Sequence, residues 1–336
     1  MRAVVQHEYG DADVLQLEDV ETPRIRDDQL LLKVVAASVH AGDALLMQGI
    51  PYVMRLGTGV ARPRRGIRGL DVAGIVDEVG SRVTRFAEGD EVFGNGTGTL
   101  AEWARAKPKQ LTSKPASLSF EQAAVLTVSG LTALRAIRDV GAVQAGQSVL
   151  VNGASGGVGV YAVQIAKALG ADVTGVCGTR NVDLVRSLGA DHVVDYRASD
   201  FTESGQRYDV ILDNVGNKPL ADCLRVLAPH GTLMPNSGTS GGSWLGSLPT
   251  MGHAAVRSVF SPQKTTTFLS MPNPDDLEAL KDLVLSGAVR PVISGTYPLD
   301  QAAEAMRVVQ SGHTSGKVVV QVAAQGSVAG EPPQPE

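Results

Sequence analysis

Cysteine is scarce: Cys177 and Cys223 are the only two in 336 residues, and they form no C-x-x-C pair. That excludes a disulfide framework and a cysteine-built metal knuckle, and it fits a reducing compartment. Aromatic residues make up 4% of the chain, too few for a platform on which bases or sugars stack. No apolar run approaches the roughly 18 residues that a membrane-crossing helix needs. The opening MRAVVQHEYGDADVLQLEDV lacks the apolar centre of a secretory signal, so a cytoplasmic protein without a membrane partner is expected. Thirty Lys and Arg face 35 Asp and Glu, for a net charge of -5, and no long basic block occurs. Nucleic-acid binding therefore has no electrostatic support.

What the chain has in surplus is glycine, 38 residues, alongside 43% hydrophobic residues and no G-x-y period. Collagen and bulk disorder are excluded, and at about 150 residues per domain the length suits two domains. Up to about Ala106 the apolar runs RAVVQ, QLLLKVVAASV, VAGIVDEVG and DEVFG are short, β-rich and separated by Gly, Asp and Pro, as in a partly open β-barrel. Residues 42–71, with Pro51, Pro63 and five arginines, read as a long irregular crossing. Two helices follow, one capped by Ser119 and one ending at Gly141. The strands SVLV, DVTGVC, HVVD and YDVILDNV then alternate with helices VGVYAVQIAKALG and NVDLVRSLG, the pattern of a parallel sheet covered by helices. Beyond a helix, a turn at 229–231 and another strand, TTTFLSM is expected to close the sheet, and 274–322 supplies a helix with an acidic first turn, a second helix and a final strand.

The segment VLVNGASGGVG sets Gly153, Ala154, Ser155, Gly156, Gly157, Val158 and Gly159 directly after a strand and before a helix. Glycines there permit a tight turn and let a pyrophosphate approach the amides of the helix N-terminus, so a dinucleotide is the expected ligand. No Gly-Lys-Ser/Thr follows, which disfavours a P-loop. After the next strand come Cys177, Gly178, Thr179 and Arg180, with no acid for the adenosine ribose hydroxyls. Arg180 suits a 2′-phosphate, so NADP(H), meaning NADPH or NADP+, is the expected cofactor; the alternative is that Arg180 caps the following helix. Tyr196, Asn214, Gly216, Ser237 and Gly238 follow later strand ends and are expected to line the same ligand, with ordinary turn or packing roles as the alternative. Cys177 reads as a packed thiol rather than a nucleophile.

The motifs GLDVAGIVDEVGSRVTRFAEGDEVFG, GASGGVGVYAVQIAKALGADVTGVCGTRN and SGHTSGKVVVQV, in that order, resemble the medium-chain dehydrogenase/reductase superfamily and its zinc-free quinone oxidoreductase-like branch. The resemblance covers residues 1–322. It implies an α/β protein with a GroES-like β-rich substrate domain and a Rossmann doubly wound parallel-sheet nucleotide domain. The substrate domain would take 1–123 and 274–322, the nucleotide domain 124–273, and 323–336 would be a flexible tail. It also implies a substrate cleft between domains and a homodimer joined at the nucleotide sheet edge. Zinc-dependent members carry Cys where this chain has His40, His-Glu where it has Leu70-Asp71, and a further Cys near TVSGLTA that is missing here. With about three ligands required, no metal is expected.

The branch's N-P-x-x-x-Y stretch is also missing, since this chain reads His40-Ala41-Gly42-Asp43-Ala44-Leu45. His40, Asp43 and Tyr52 remain as catalytic candidates, each with a structural alternative. Thr127 and Lys317 resemble family positions that approach the cofactor. Arg62, Arg64, Arg65 and Arg68 read as a solvated loop or as an attractor for an anionic substrate, and the glycine-rich 238–253, with Trp244 and Leu245, as a lid or an interface. The expected reaction is zinc-independent, NADPH-dependent hydride transfer to a quinone or an α,β-unsaturated carbonyl compound, because delocalised charge needs only a hydrogen-bond donor. A zinc-free alcohol dehydrogenase or carbonyl reductase and a non-catalytic NADPH sensor are the alternatives.

Overall fold

A computed structural model describes residues 1–64, 66–237, 262–268, 270 and 272–323. Both ends of the chain build one β-rich domain. β1 (Arg2–Gln6) pairs with β2 (Leu15–Asp19). β3 (Leu30–Val39), β4 (Asp71–Val79), β5 (Glu91–Asn95), β6 (Trp103–Ala106) and β7 (Leu111–Ser113) come from the first third, and β14 (Ile293–Pro298) and β15 (Lys317–Gln321) from the last. Their order is β14-β15-β3-β4-β5-β7, with β6 also paired to β3. Leu30, Leu32, Val34, Ala37 and Val39 of β3 fill the domain's interior, whereas Ala36, with Ala73, Phe93 and Val319, packs into the core of the other domain. β3 is therefore buried on both faces, as its nearly unbroken apolar run requires.

The middle of the chain forms a six-stranded, wholly parallel sheet in the order β10 (His192–Asp195), β9 (Asp172–Cys177), β8 (Ser148–Asn152), β11 (Tyr208–Asp213), β12 (Leu227–Pro235), β13 (Lys264–Thr265). The direction of winding reverses between β8 and β11, and ligands of such sheets bind outside the strand C-termini at that point. Helices α5 (Gly159–Ala168), α6 (Val182–Ser187) and α7 (Leu220–Arg225) make the crossovers. Before them, α3 (Phe120–Ala124) begins at a capping box between Ser119 and Gln122, as expected. Helix α4 (Thr127–Leu134) continues as a π-helical turn, Arg135–Val140.

Several expectations need correction. The crossing is not irregular throughout: it holds α1 (Ala41–Gln48) and α2 (Arg55–Thr58). Among the described residues of TTTFLSM only Thr265 enters a strand, paired beside β12. The turn at 229–231 is a bulge inside β12, where register slips opposite Tyr208 and Val210. Helix α8 (Pro274–Leu285), capped by Asn273, buries Leu277 and Leu280 in a core that both domains share, and its Glu278 and Lys281 bond Thr112 of β7. Between β14 and β15 lies α9 (Ala302–Gln310), which buries Ala302, Ala305 and Met306 in the β-rich core.

The start of α5 depends on Gly159, where an added Cβ would lie 2.1 Å from the Gly153 carbonyl oxygen and 2.8 Å from Ala154 backbone. Backbone cannot give way as a side-chain tip can. Gly159→Ala is expected to lower stability by about 1–3 kcal/mol, whereas Gly57→Ala, with nothing within 4 Å, is expected to leave it unchanged or slightly raised. Thermal and denaturant unfolding of the two variants checks the contrast.

Candidate active site

At the point where the sheet's winding reverses, Gly153 takes φ +76° and leads the chain from β8 into the loop before α5. The amides of Gly153 and Ala154 are held by the Val176 carbonyl of β9, at 3.1 and 2.9 Å. Among the described residues, those of Gly157 and Val158 donate no backbone hydrogen bond, and no side chain caps α5. A Cβ on Gly156 would meet only the Gly153 oxygen, at 3.3 Å, so the space above the loop is open. Open space and unspent amides at the N-terminus of a ten-residue helix fit a dinucleotide pyrophosphate.

The loop is braced from two sides by residues the sequence reading missed. Asn181 Nδ2 donates to Ser155 Oγ (3.0 Å), Ser315 Oγ donates to Asn181 Oδ1 (2.7 Å), and the Gly316 amide donates to the Ser155 carbonyl (2.8 Å). The closing S-G-K segment thus reaches the glycine loop through hydrogen bonds that sequence separation hides. Arg180 Nη2 donates to the His313 carbonyl at 2.8 Å, which ties it to that same segment and leaves its other N–H groups for a ligand. The Tyr196 ring lies over Gly178, its hydroxyl 3.1 Å from where a Cβ would be, and Thr179 bonds Asp195, whose carboxyl is held below its ordinary value chiefly by that bond.

The other strand-end candidates are drawn into the protein. Asn214 uses Nδ2 on the Asn152 carbonyl (3.2 Å) and Oδ1 on Asn236 (2.8 Å), while Gly216, φ +69°, donates its amide to Asp213 Oδ1 (2.9 Å). Both close the turn after β11. Cys177 faces the core, where burial pushes its thiol up to about 11; Cys223 is likewise pushed up to about 12. Neither is a thiolate at neutral pH. Ser237 stands two residues past β12, and Gly238, Trp244, Leu245 and the rest of 238–253 lie outside the described residues.

The catalytic candidates divide. His40 and Asp43 come together as the capping box of α1: the Asp43 amide donates to His40 Nδ1 (3.3 Å), and the His40 amide donates to Asp43 Oδ2 (3.1 Å). With Nδ1 accepting, a neutral ring carries its proton on Nε2. That nitrogen is buried and has no hydrogen-bond partner among the described residues, although Asp43 Oδ2 is 3.3 Å away. Tyr52 is placed differently, half-exposed with the Arg55 guanidinium over its ring at 4.7 Å.

The largest omission of the sequence reading is Asp71. Its side chain is fully buried and accepts from Ser38 Oγ (3.1 Å), Asn95 Nδ2 (3.3 Å), the Val128 amide (2.9 Å) and Lys317 Nζ (3.3 Å). Lys317 is equally buried, and its Cδ lies 3.4 Å from where a Cβ on Gly157 would be. One ion pair therefore links β4, β15, the first turn of α4 and the glycine loop. Thr127, the first residue of α4, is fully buried with Oγ1 unpartnered among the described residues. An acid inside the apolar run GLDVAGIV was the available signal. Asp43 lies within the field of the pair: burial raises its carboxyl above the usual value, His40 opposes that, and Asp71 adds to it.

A zinc ion does not fit the donors here. The cap leaves His40 one nitrogen to offer, Nε2, and the next position that would hold a ligand is the apolar Leu70. Among the described residues no group of three potential ligands occurs. No helix there is long and apolar enough to cross a membrane.

The family model "Alcohol dehydrogenase GroES-like domain" matches residues 26–116, and "Zinc-binding dehydrogenase" matches 188–320. The chain is 32% identical to the Arabidopsis thaliana "Chloroplast envelope quinone oxidoreductase homolog", covering 96% of this chain and 98% of that protein. It is 34% identical to the "NADPH-dependent alkenal/one oxidoreductase, chloroplastic" of the same plant, over 95% and 79% of the two chains. The quinone oxidoreductase structure from Coxiella burnetii superposes with a TM-score of 0.85 at 30% identity, over 96% and 99% of the chains. A GroES-like barrel joined to a Rossmann sheet defines an oxidoreductase of the medium-chain dehydrogenase/reductase superfamily. Within it, the chain belongs to the quinone oxidoreductase-like branch.

The buried pair and its neighbour yield two expectations. Lys317→Met leaves Asp71 buried and unpaired, which costs about 3–5 kcal/mol, whereas Lys317→Met with Asp71→Asn recovers much of that loss; denaturant unfolding of single and double variants measures it. For Asp43 the folded-state value is raised, so its contribution is present below the unfolded carboxylate value of about 4 and is lost as pH rises through the folded value. Asp43→Asn is therefore expected to gain stability relative to the native chain as pH rises from about 4 to 7, read from unfolding midpoints across that range.

Proposed function

We propose that this protein is a zinc-independent, NADPH-dependent reductase of quinones or α,β-unsaturated carbonyl compounds. The observation that carries the reading is His40 Nε2, buried and without a hydrogen bond among the described residues, with Asp43 Oδ2 at 3.3 Å. Bound NADPH would supply the hydride. Gly156, Gly157 and Val158 would hold its pyrophosphate, and Gly178, Thr179, Arg180 and Tyr196 its phosphorylated adenosine ribose. Thr127 Oγ1 and Lys317 would face the nicotinamide half, and Ser237 the rim.

His40 Nε2–H would donate to the substrate oxygen as negative charge grows there, and the Asp43 amide on Nδ1 holds the ring in the tautomer that can do so. A single neutral donor suits an oxygen whose charge is shared over a conjugated system better than a localised alkoxide. The relatives' names, which include NADPH and alkenal/one substrates, support the same choice. The buried free cysteines support a cytoplasmic location, and the outer edge of β13 supports a homodimer joined there.

One panel tests the reading: oxidation of NADPH and of NADH followed with a benzoquinone, an enone and a saturated aldehyde, with and without chelator. Chelator-insensitive turnover of the quinone or enone with NADPH is expected. Aldehyde turnover alone indicates a carbonyl reductase, tight NADPH binding without turnover indicates a sensor, and loss of activity with chelator overturns the zinc-independent mechanism.

A further inference from the structure

Residues 44–70 contain five arginines and no aspartate or glutamate, in a chain whose net charge is -5. Of the nine large hydrophobic side chains exposed among the described residues, five fall in this same stretch: Tyr52, Val53, Met54, Leu56 and Val60. Leu56 is 72% and Val60 66% exposed. Apolar residues scattered singly on a surface need no explanation, but five within nine positions do.

The segment is a fastened knob. The Tyr9 hydroxyl donates to the Gly59 carbonyl (2.7 Å) and bonds Thr58 Oγ1 (3.0 Å). The Arg55 guanidinium lies over the rings of Tyr9 and Tyr52, at 4.3 and 4.7 Å, and donates to the carbonyls of Gln48 and Gly49, each at 3.0 Å. The chain then turns back, with the Arg64 amide on the Thr58 carbonyl (2.8 Å) and Arg64 Nη1 on the Gly57 carbonyl (3.3 Å). This return sets Arg62 and Arg64, both exposed, against the turn that carries Leu56 and Val60. Neither makes an ion pair among the described residues.

We propose that this knob is a docking surface for an anionic phospholipid bilayer. Leu56, Val60 and Met54 enter the boundary between headgroups and acyl chains, while Arg62 and Arg64 engage lipid phosphates. This reverses the expectation of no membrane partner and concerns peripheral binding only. A bilayer matches the patch because it offers negative charge directly beside apolar depth and demands no shape complementarity from a four-residue helix. Docking stands independently of the proposed reaction. If that reaction is correct as well, the surface meets lipophilic quinones or enones where they partition.

The test is co-sedimentation of the full chain with vesicles of phosphatidylcholine alone or with phosphatidylglycerol added, for the native protein, L56S/V60S and R62Q/R64Q. Preference for the phosphatidylglycerol vesicles, weakened by salt, is expected. At about fivefold per arginine near an anionic surface, R62Q/R64Q should lose roughly 25-fold in partitioning, and L56S/V60S should also lose binding. NADPH oxidation with a water-soluble quinone should be unchanged in both variants, and matched thermal unfolding confirms that they fold. Vesicle binding is read without turnover, so its failure is distinct from failure of the proposed reaction. Equal partitioning of native and variant proteins, or no preference for phosphatidylglycerol, overturns the proposal. So does a dimer in sedimentation that L56S/V60S dissociates, which assigns the patch to a second copy. A raised KM for an anionic substrate in R62Q/R64Q with vesicle binding unchanged overturns it too.

Discussion

The joining of the β-rich domain to the glycine loop depends on one buried ion pair. Asp71 and Lys317 are separated by 246 residues and both side chains are withdrawn from water. Removing two such charges from solvent is expensive, and the cost is offset only because the Asp71 carboxylate also accepts from Ser38, Asn95 and the Val128 amide. Those partners belong to β3, β5 and α4, so satisfying one carboxylate fixes the N-terminal barrel strands, the C-terminal strand and the first helix of the nucleotide side relative to one another. The stem of Lys317 then runs beside Gly157 and carries the constraint to the glycine loop.

The same economy appears at His40. Its Nδ1 supports the start of α1, and that structural duty prepares the ring chemically by leaving the proton on Nε2. The capping role of His40 and the donor role we propose for it thus fall on the two nitrogens of one imidazole. Asp43 is the partner that makes this possible, accepting the His40 amide while standing within the field of Asp71 and Lys317.

Much of the nucleotide side was legible because its signals are local. The glycine spacing, the β-branched strands and the Ser119 cap each act within a few residues, and the parallel sheet, its helices and the glycine loop follow from them. The Asn181–Ser155 and Ser315–Asn181 bonds were not legible, because side chains far apart in sequence meet only once two loops fold over each other. At Asn214 and Gly216 the fold adds what position after β11 did not reveal: Asn214 Oδ1 accepts from Asn236 and the Gly216 amide donates to Asp213, bonds that close the turn. The helical content of the crossing was missed because a capping box built from His and Asp lacks the usual Ser or Thr signal.

Sequence alone determined the class of the chain: two domains, a parallel sheet, a glycine-rich turn at Gly153–Gly159 between a strand and a helix, and too few cysteines for a zinc lobe. These are properties of short-range pattern and composition, which survive without knowledge of what packs against what. Tertiary structure decided which polar groups are satisfied and which remain available. Whether Asp71 is a surface acid or the hub of a buried network, whether His40 Nε2 is spent or free, and whether Leu56 is core or exposed are all settled by partners distant along the chain. A residue's type gives its hydrogen-bonding capacity, but only the fold assigns the partners that use it up.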